Sequence, residues 1–121
     1  MTAALLEGDS LHIAHVGDSG AYLIRKGKVE TLTAPQENGD GKITNCIGVS
    51  LQSYHGPWQQ TYRVRAGDTV VLATDGLTDY LEDEQMLAKI VERGGDLAAR
   101  CVEYALGRGG GDNVTVIVVK V

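Results

Sequence analysis

Turns divide the first part of the chain at short intervals, and this spacing limits its elements to strands. Gly8-Asp9-Ser10, Gly17 to Gly20 and Lys26-Gly27 separate short apolar or alternating runs. Residues Leu11 to Val16 alternate and place Leu11, Ile13 and His15 on one side, which is typical of a half-buried strand. Lys26-Gly27 suits a tight hairpin turn. The opening of the chain is therefore predicted to be an antiparallel meander.

The second half changes from strands to helices and back. Thr69 to Ala73 is a continuous apolar run, which suits a central strand buried on both faces. Apolar residues then recur at helical spacing from Leu81 to Val91, and three acids at 82–84 favour the positive end of that helix. Asp96 is predicted to cap a second helix. Val114 to Val121 is a β-branched closing strand. With no linker or repeat, residues 1–121 are predicted to form a single α+β domain.

Composition excludes several classes of function. The 121 residues carry a net charge of −5, whereas a nucleic-acid or anionic-membrane surface needs clustered Lys and Arg. No stretch approaches the ~20 apolar residues of a membrane helix, and no secretion leader is recognised. We therefore expect a cytoplasmic protein. Cys46 and Cys101 lack zinc-type spacing and are predicted to be reduced thiols.

Three aspartates stand where an apolar run meets a glycine-bearing turn: Asp18, Asp75 and Asp112. Carboxylates at strand ends can converge on one edge of a sheet, where their like charges repel unless a cation or protons intervene. Hard oxygen ligands suit Mg²⁺ or Mn²⁺. Asp-Gly and Gly-Asp are also common turn pairs, so each aspartate taken singly is better explained as a turn residue.

Three strings in a fixed order resemble the motifs of a known family. IAHVGDSGAYL at 13–23 is similar to "VGDSRAYL", LATDGLTD at 72–79 to "SDGLWD", and GDNVTVIVV at 111–119 to "DNVTVIVV". The chain resembles the C-terminal half of metal-dependent type 2C protein serine/threonine phosphatases. The resemblance implies part of a β-sandwich of antiparallel strands, with two helices packed on one outer face.

The resemblance also implies roles for individual residues. Asp75 and Asp112 correspond to ligands of a paired Mg²⁺ or Mn²⁺ centre, and Asp18 to a ligand of a third, weaker site. In this family the metals activate a water that attacks the phosphorus of a phosphoprotein substrate. Asn113 is expected to position Asp112 or a backbone group, and Gly76 lies beside Asp75. Asp79 either contacts water at the site or caps a helix ahead of Leu81.

The chain departs from the family pattern in ways that bear on activity. It contains no Asp-Gly-x-Gly-Gly motif, whose aspartate bridges both metals, and Asp40-Gly41 is rejected as its counterpart because Lys42 follows. Gly20 replaces the Arg of the first motif, and Ala34-Pro35-Gln36 replaces an Asp-His. The resemblance therefore implies metal binding that is weak in the isolated chain.

Three functions stay open at this point. The chain is a phosphatase active only when missing ligands are supplied, a catalytically dead phosphatase-like binding or regulatory module, or a fragment with no separate role. Because half of the sandwich is missing, an apolar sheet face is expected to be exposed. We expect that face to pair with a second copy or with a complementing N-terminal half.

Among the other residues, His15 is expected to be packed rather than catalytic. The glycines of the loop from Arg108 to Gly111 are expected to let the chain turn tightly into Asp112. Tyr54 and Trp58 are weak candidates for a binding surface, and Ile43 to Leu51 shows no clear pattern.

Overall fold

The computed structural model describes residues 1–48 and 56–121. In chain order, their elements are β1 (Thr2–Glu7), β2 (Ser10–His15), β3 (Gly20–Arg25), β4 (Lys28–Thr31), β5 (Trp58–Arg63), β6 (Thr69–Ala73), α1 (Asp75–Thr78), α2 (Gln85–Glu92), α3 (Leu97–Leu106) and β7 (Val116–Lys120). The strands form one sheet of order β1-β2-β5 and a second of order β4-β3-β6-β7. All the pairings are antiparallel, as predicted.

The β3–β4 hairpin shows how local sequence sets the register. Lys26 and Gly27 both have positive φ, at 51° and 73°. Two successive residues of this kind make the turn whose twist matches that of the flanking strands. Arg25 therefore pairs with Lys28, and Ile24 with Val29. This register directs alternate β3 side chains to opposite faces of the second sheet.

The core lies in two layers, on either side of the second sheet. Between the sheets lie apolar residues of β2, β3 and β6 and of the segments that follow β4 and β5: Leu11, Ile13, Ala21, Leu23, Leu32, Val64 and Val70. Between the second sheet and the helices lie Tyr22, Ile24, Val71, Ala73, Leu77, Leu87, Ala88, Ile90, Cys101 and Ala105. The layers therefore run sheet, sheet, helices. This confirms the α+β sandwich with its helices on one outer face.

The helices differ from the sequence prediction in two places. Asp75 and Gly76, predicted to lie on a turn, belong to the one-turn helix α1, in which Leu77 is completely buried. Four residues are too few to show a helical period, and Gly76 is a poor helix former, so the pattern gave no sign of α1. The next helix begins at Gln85 and not near Leu81. Its predicted acids therefore lie just before it, and Glu84 is its N-cap residue.

Two other predictions concern helix ends and membrane segments. Asp96 caps α3 as predicted, since its Oδ1 accepts a hydrogen bond from Ala99 N at 3.1 Å. None of the helices within the described ranges is long and apolar enough to cross a membrane.

The two long sides of the sandwich differ. On the β4/β5 side, called here the closed edge, Tyr62 Oη donates to Leu32 O at 2.8 Å and joins the two sheets. On the β1/β7 side, called the open edge, Leu6, Ile117 and Val119 are 41%, 53% and 39% exposed. Ile117 pairs with Leu72 and Val119 with Val70, so both point between the sheets. The exposed apolar surface that the sequence predicts lies at this edge.

The segment between β4 and β5 is described only in part. Ile43 forms an isolated antiparallel bridge with Glu37. The end of the stretch from Ile43 to Leu51 lies outside the described residues, and so do Tyr54 and His55. Trp58, the other aromatic candidate, begins β5 and is 38% exposed.

Candidate metal centre

Asp18 lies on the turn between β2 and β3, and Gln36 holds this turn from outside. Gly17 N donates to Gln36 Oε1 at 3.1 Å, and Gln36 N donates to Gly17 O at 2.7 Å. Gly17 has a φ of 101°, a conformation that favours glycine. The family's Asp-His is therefore replaced by a segment that fixes the Asp18 turn through an amide side chain.

Asp75 is the first residue of α1, directly after the buried strand β6. Its Oδ1 accepts a hydrogen bond from Gly76 N at 2.8 Å, and its carbonyl accepts one from Asp79 N at 2.9 Å. Leu77 anchors the turn because its side chain lies in the helix-side core. The Asp75 carboxylate is thus held between a central strand and a packed helical turn.

Asp112 is brought to the same end of the sheet by contacts between α1 and the chain before β7. Thr74 Oγ1 donates to Asn113 O at 3.1 Å and accepts from Thr115 N at 3.0 Å. A Cβ at Gly76 would lie 2.3 Å from Asn113 O, so a side chain there would push the two segments apart. Asp112 Oδ1 accepts from Asn113 N at 2.7 Å. Gly76 and Asn113 therefore act through their backbones.

The charges of the three aspartates all affect the pKa of Asp79. Partial burial raises the pKa of Asp79 first, and the charges of Asp75, Asp18 and Asp112 raise this pKa further. Asp79 thus interacts electrostatically with three acids that are distant from one another in sequence. A concentration of hard carboxylate oxygens with one sign of charge fits a divalent cation such as Mg²⁺ or Mn²⁺.

The number of ligands is nevertheless too small for a closed site. Within residues 1–48 and 56–121, no three His, Cys, Asp or Glu side chains lie close enough together to hold one ion. The aspartates therefore fit a metal in chemistry and in charge, and further ligands are needed to enclose it. Their roles as ligands stay predictions.

Asp79 does not cap a helix ahead of Leu81. It is the C-cap residue of α1, and the next helix begins only at Gln85. The capping alternative is therefore wrong, because the chain makes one more turn before the helix starts. The carboxylate of Asp79 is instead close enough to Asp75, Asp18 and Asp112 for their charges to raise its pKa.

Tyr22 is a residue of this region that the sequence prediction missed. It is 7% exposed, and a Cβ at Gly20 would lie 2.6 Å from its ring and from its hydroxyl. Burial raises the pKa of Tyr22 to about 12, with added contributions from the charges of Glu84 and Asp79. Residues two apart on a strand share a face, so a glycine two positions before an aromatic residue was the available signal. In this structure the end of the Tyr22 side chain therefore occupies the space that a side chain at position 20 would enter.

His15 lies beneath the Asp18 turn as a packed residue. It is 2% exposed, its Nε2 donates to Ala34 O at 3.1 Å, and its Nδ1 lies 2.8 Å from Thr2 Oγ1. Burial lowers the pKa of His15. The imidazole therefore joins β1, β2 and the segment after β4.

The glycine loop before Asp112 is held by the residues around it. The Arg108 guanidinium stacks on the Tyr104 ring at 3.6 Å and lies 3.8 Å from Glu82. Gly109 and Gly110 both have positive φ, at 129° and 54°. The tight turn predicted from the glycines is present.

A strand-end group of aspartates on a two-layer sandwich with helices outside is the arrangement of a 2C-type phosphatase domain. The family described as Protein phosphatase 2C matches residues 1–103. The serine/threonine protein phosphatase PstP of Mycobacterium tuberculosis is 33% identical over 138 residues, which cover 100% of this chain and 27% of that protein. The chain belongs to the protein phosphatase 2C family and corresponds to the C-terminal half of its domain.

Solved structures agree with this assignment and show its extent. The PstP catalytic domain in complex with two manganese ions is 32% identical, with a TM-score of 0.82 and coverage of 98% of this chain and 56% of that chain. The S. agalactiae serine/threonine phosphatase is 27% identical, with a TM-score of 0.89 and coverage of 99% of this chain and 57% of that chain. The chain thus spans little more than half of the solved phosphatase chains.

Proposed function

We propose that this chain provides Asp75, Asp112 and Asp18 to the Mg²⁺ or Mn²⁺ centre of a protein serine/threonine phosphatase, and that hydrolysis requires a complementing segment. The observation that carries the proposal is the contact of Thr74 and Gly76 with Asn113, which brings Asp75 and Asp112 to the same end of the sheet. The raised pKa of Asp79 agrees with this, since its causes besides partial burial are the charges of the three aspartates. Acids from three distant parts of the sequence thus lie toward one end of the sandwich, without enclosing an ion by themselves.

Each residue has a distinct part in this proposal. Asp75 and Asp112 hold the paired metals, and Asp18 holds a third, weaker ion. Gly76 and Asn113 keep the first two carboxylates at a fixed separation through the contact between their backbones. Asp79, at the edge of the group, orders water beside the site. When bound, the metals lower the pKa of a water molecule and neutralise the phosphoryl oxygens of a phosphoprotein.

We propose that the complementing segment binds at the open edge. A groove of about 210 Å³ at this edge is lined by Met1, Thr2, Ser19, Leu72, Ala73, Thr74, Thr115 and Ile117. It runs between the Asp18 turn, at Ser19, and the start of α1, at Thr74. The solved relatives carry further chain that this one does not cover. A segment seated here would cover Ile117 and bring ligands next to Asp18 and Asp75.

The alternative function is a catalytically inactive module that binds a phosphoprotein or a regulatory partner. It is favoured by the lack of three converging ligands among the described residues and by Gly20 in the place of the family's Arg. A module of this kind would keep the fold and the open edge but would not respond to Mn²⁺.

The decisive experiment is Mn²⁺-dependent hydrolysis of p-nitrophenyl phosphate, by the chain alone and with a separately expressed 2C-type segment that carries Asp-Gly-x-Gly-Gly. We expect hydrolysis in the mixture, and a loss of at least about 100-fold with Asp75→Asn, beyond the 10–100-fold typical of residues that only support a ligand. The matched control is Asp40→Asn, which alters the exposed Asp-Gly of the β4–β5 segment.

The outcomes separate the two functions. Hydrolysis abolished by Asp75→Asn and unchanged by Asp40→Asn would exclude the inactive module. If the mixture has no turnover, and Mn²⁺ does not raise the melting temperature, the phosphatase proposal is wrong. Light scattering of the chain alone shows whether a second copy occupies the open edge in place of the complementing segment.

A further inference from the structure

Tyr80 links the two segments that carry Asp75 and Asp112. It follows Asp79 directly, and its hydroxyl accepts a hydrogen bond from Gly111 N at 2.7 Å. Its carbonyl accepts one from Tyr104 Oη at 3.4 Å, and its half-buried ring packs against the helix-side core. The hydroxyl is thus carried by a side chain that the fold holds in place.

The loop that Tyr80 contacts consists largely of glycine. Gly109, Gly110 and Gly111 are consecutive, and glycine loses more conformational freedom on ordering than any other residue. Gly110 N donates to Ala105 O at 3.2 Å, which ties the start of the loop to the end of α3. Beyond that point the chain must still reach Asp112 in one conformation. A Cβ at Gly111 would lie 2.9 Å from the Tyr80 hydroxyl, so loop and phenol are in close contact.

Asp112 is therefore bracketed by contacts to the Asp75 segment. On one side Gly111 is bound by Tyr80, five residues after Asp75. On the other side Asn113 is bound by Thr74, one residue before Asp75. One hydrogen bond on each side of Asp112 fixes both the position and the direction of its backbone. A single bond would leave the intervening carboxylate free to swing.

We infer that Tyr80 is a positioning residue, whose hydroxyl holds the Gly111–Asp112 backbone so that the Asp112 carboxylate stays opposite Asp75. Its importance for catalysis rests on the function proposed above, whereas its effect on the loop does not. No atom of Tyr80 needs to touch the metal or the substrate.

The test is Tyr80→Phe, which removes one oxygen atom and keeps the ring in the core. We expect the NMR order parameters of the Gly110, Gly111 and Asp112 amides to fall from about 0.85, typical of rigid backbone, to below about 0.6. Exchange of the Gly111 amide proton should become about 5-fold faster, as expected for the loss of one hydrogen bond. The matched control is Tyr62→Phe, which removes the same atom at the closed edge and should leave the loop unchanged.

A titration with Mn²⁺ separates this inference from the proposed function. In the wild type, Mn²⁺ should broaden the Asp75 and Asp112 amide signals, and Tyr80→Phe should need about 10-fold more Mn²⁺ for the same effect. If wild-type signals do not respond to Mn²⁺, the proposed metal centre is wrong, and the order parameters still decide the role of Tyr80. Order parameters and exchange that match those of Tyr62→Phe would overturn the inference.

Discussion

The closed and open edges of the sandwich are built from the same kinds of strand but have different contacts. At the closed edge, Leu32 is 2% exposed, Tyr62 joins the sheets, and Arg25 binds the buried Asp68. At the open edge, Ile117 points between the sheets and is still 53% exposed. At the closed edge the space between the sheets is covered, whereas at the open edge apolar side chains that point between the sheets remain exposed to water.

The position of the acids gives this difference a functional meaning. Asp18 and Asp75 flank the groove at the open edge, beside Ser19 and Thr74. The edge that exposes apolar surface therefore borders the proposed metal site. The complementing segment proposed above would cover that surface and supply further ligands at the same time.

The largest expected effect comes from a matched pair of leucines. Leu32→Ala at the closed edge should lower the free energy of unfolding by about 3 kcal/mol, because it leaves a cavity between the sheets. Leu6→Ala at the open edge should lower it by less than about 1 kcal/mol, because Leu6 is already 41% exposed. Urea denaturation of both variants measures the contrast. Equal costs would show that the open edge is covered in solution.

The second prediction concerns the ion pair of the closed edge. Asp68 accepts from Arg25 Nε at 2.9 Å, from Arg25 Nη2 at 2.6 Å and from Arg65 N at 2.9 Å, and its side chain is 2% exposed. Asp68→Ala should lower the free energy of unfolding by about 2 kcal/mol, less than for a fully buried pair because Arg25 stays 28% exposed. Chemical denaturation at pH 7 checks this, and a loss within experimental error would contradict it.

The same pair predicts a pH dependence. The hydrogen bonds from Arg25 are the main cause of the lowered pKa of Asp68. A carboxyl with a lowered pKa stabilises the fold above its unfolded pKa of about 3.9 and loses this effect as the pH falls through the folded value. The stability gap between wild type and Asp68→Ala should therefore be constant from about pH 5 to 7 and shrink below about pH 4. A stability difference between wild type and Asp68→Ala that widens in acid would contradict a lowered pKa of Asp68.

A smaller effect is expected from Tyr62→Phe. The variant removes the hydrogen bond to Leu32 O and leaves that carbonyl without its side-chain partner. The cost should be about 1 kcal/mol, the typical net value of one hydrogen bond. Thermal unfolding can detect this loss. An unchanged melting temperature would show that the bond between Tyr62 and Leu32 does not stabilise the closed edge.

The smallest effect on stability is expected from Ile117→Thr at the open edge. Threonine keeps the β-branch of this edge-strand residue, so unfolding should change by no more than about 0.5 kcal/mol. The same substitution should weaken association with the complementing segment, because Ile117 lines the groove. Isothermal titration of wild type and variant with that segment measures the loss. Unchanged affinity would place the segment elsewhere.

The sequence predicted regular elements well and contacts between distant residues poorly. The alternation of Leu11, Ile13 and His15 predicted the buried face of β2, and the β-branched run predicted β7. The sequence did not reveal α1, because four residues are too few for a helical period to be recognised. Nor could it pair Arg25 with Asp68, since charged residues 43 positions apart carry no local sign of contact. That the three aspartates lie beside strands was predictable, but their electrostatic influence on Asp79 required the fold.

The contact between Gly20 and Tyr22 couples the residue at position 20 to the position of the Tyr22 ring. A Cβ at Gly20 would lie 2.6 Å from the Tyr22 hydroxyl, so any side chain introduced there must displace the ring. The family motif "VGDSRAYL" has an arginine and a tyrosine at these same two positions, so the two side chains are compatible in that sequence. Rebuilding the arginine by Gly20→Arg would therefore require the Tyr22 ring to take a different position, and would not require a smaller residue at position 22.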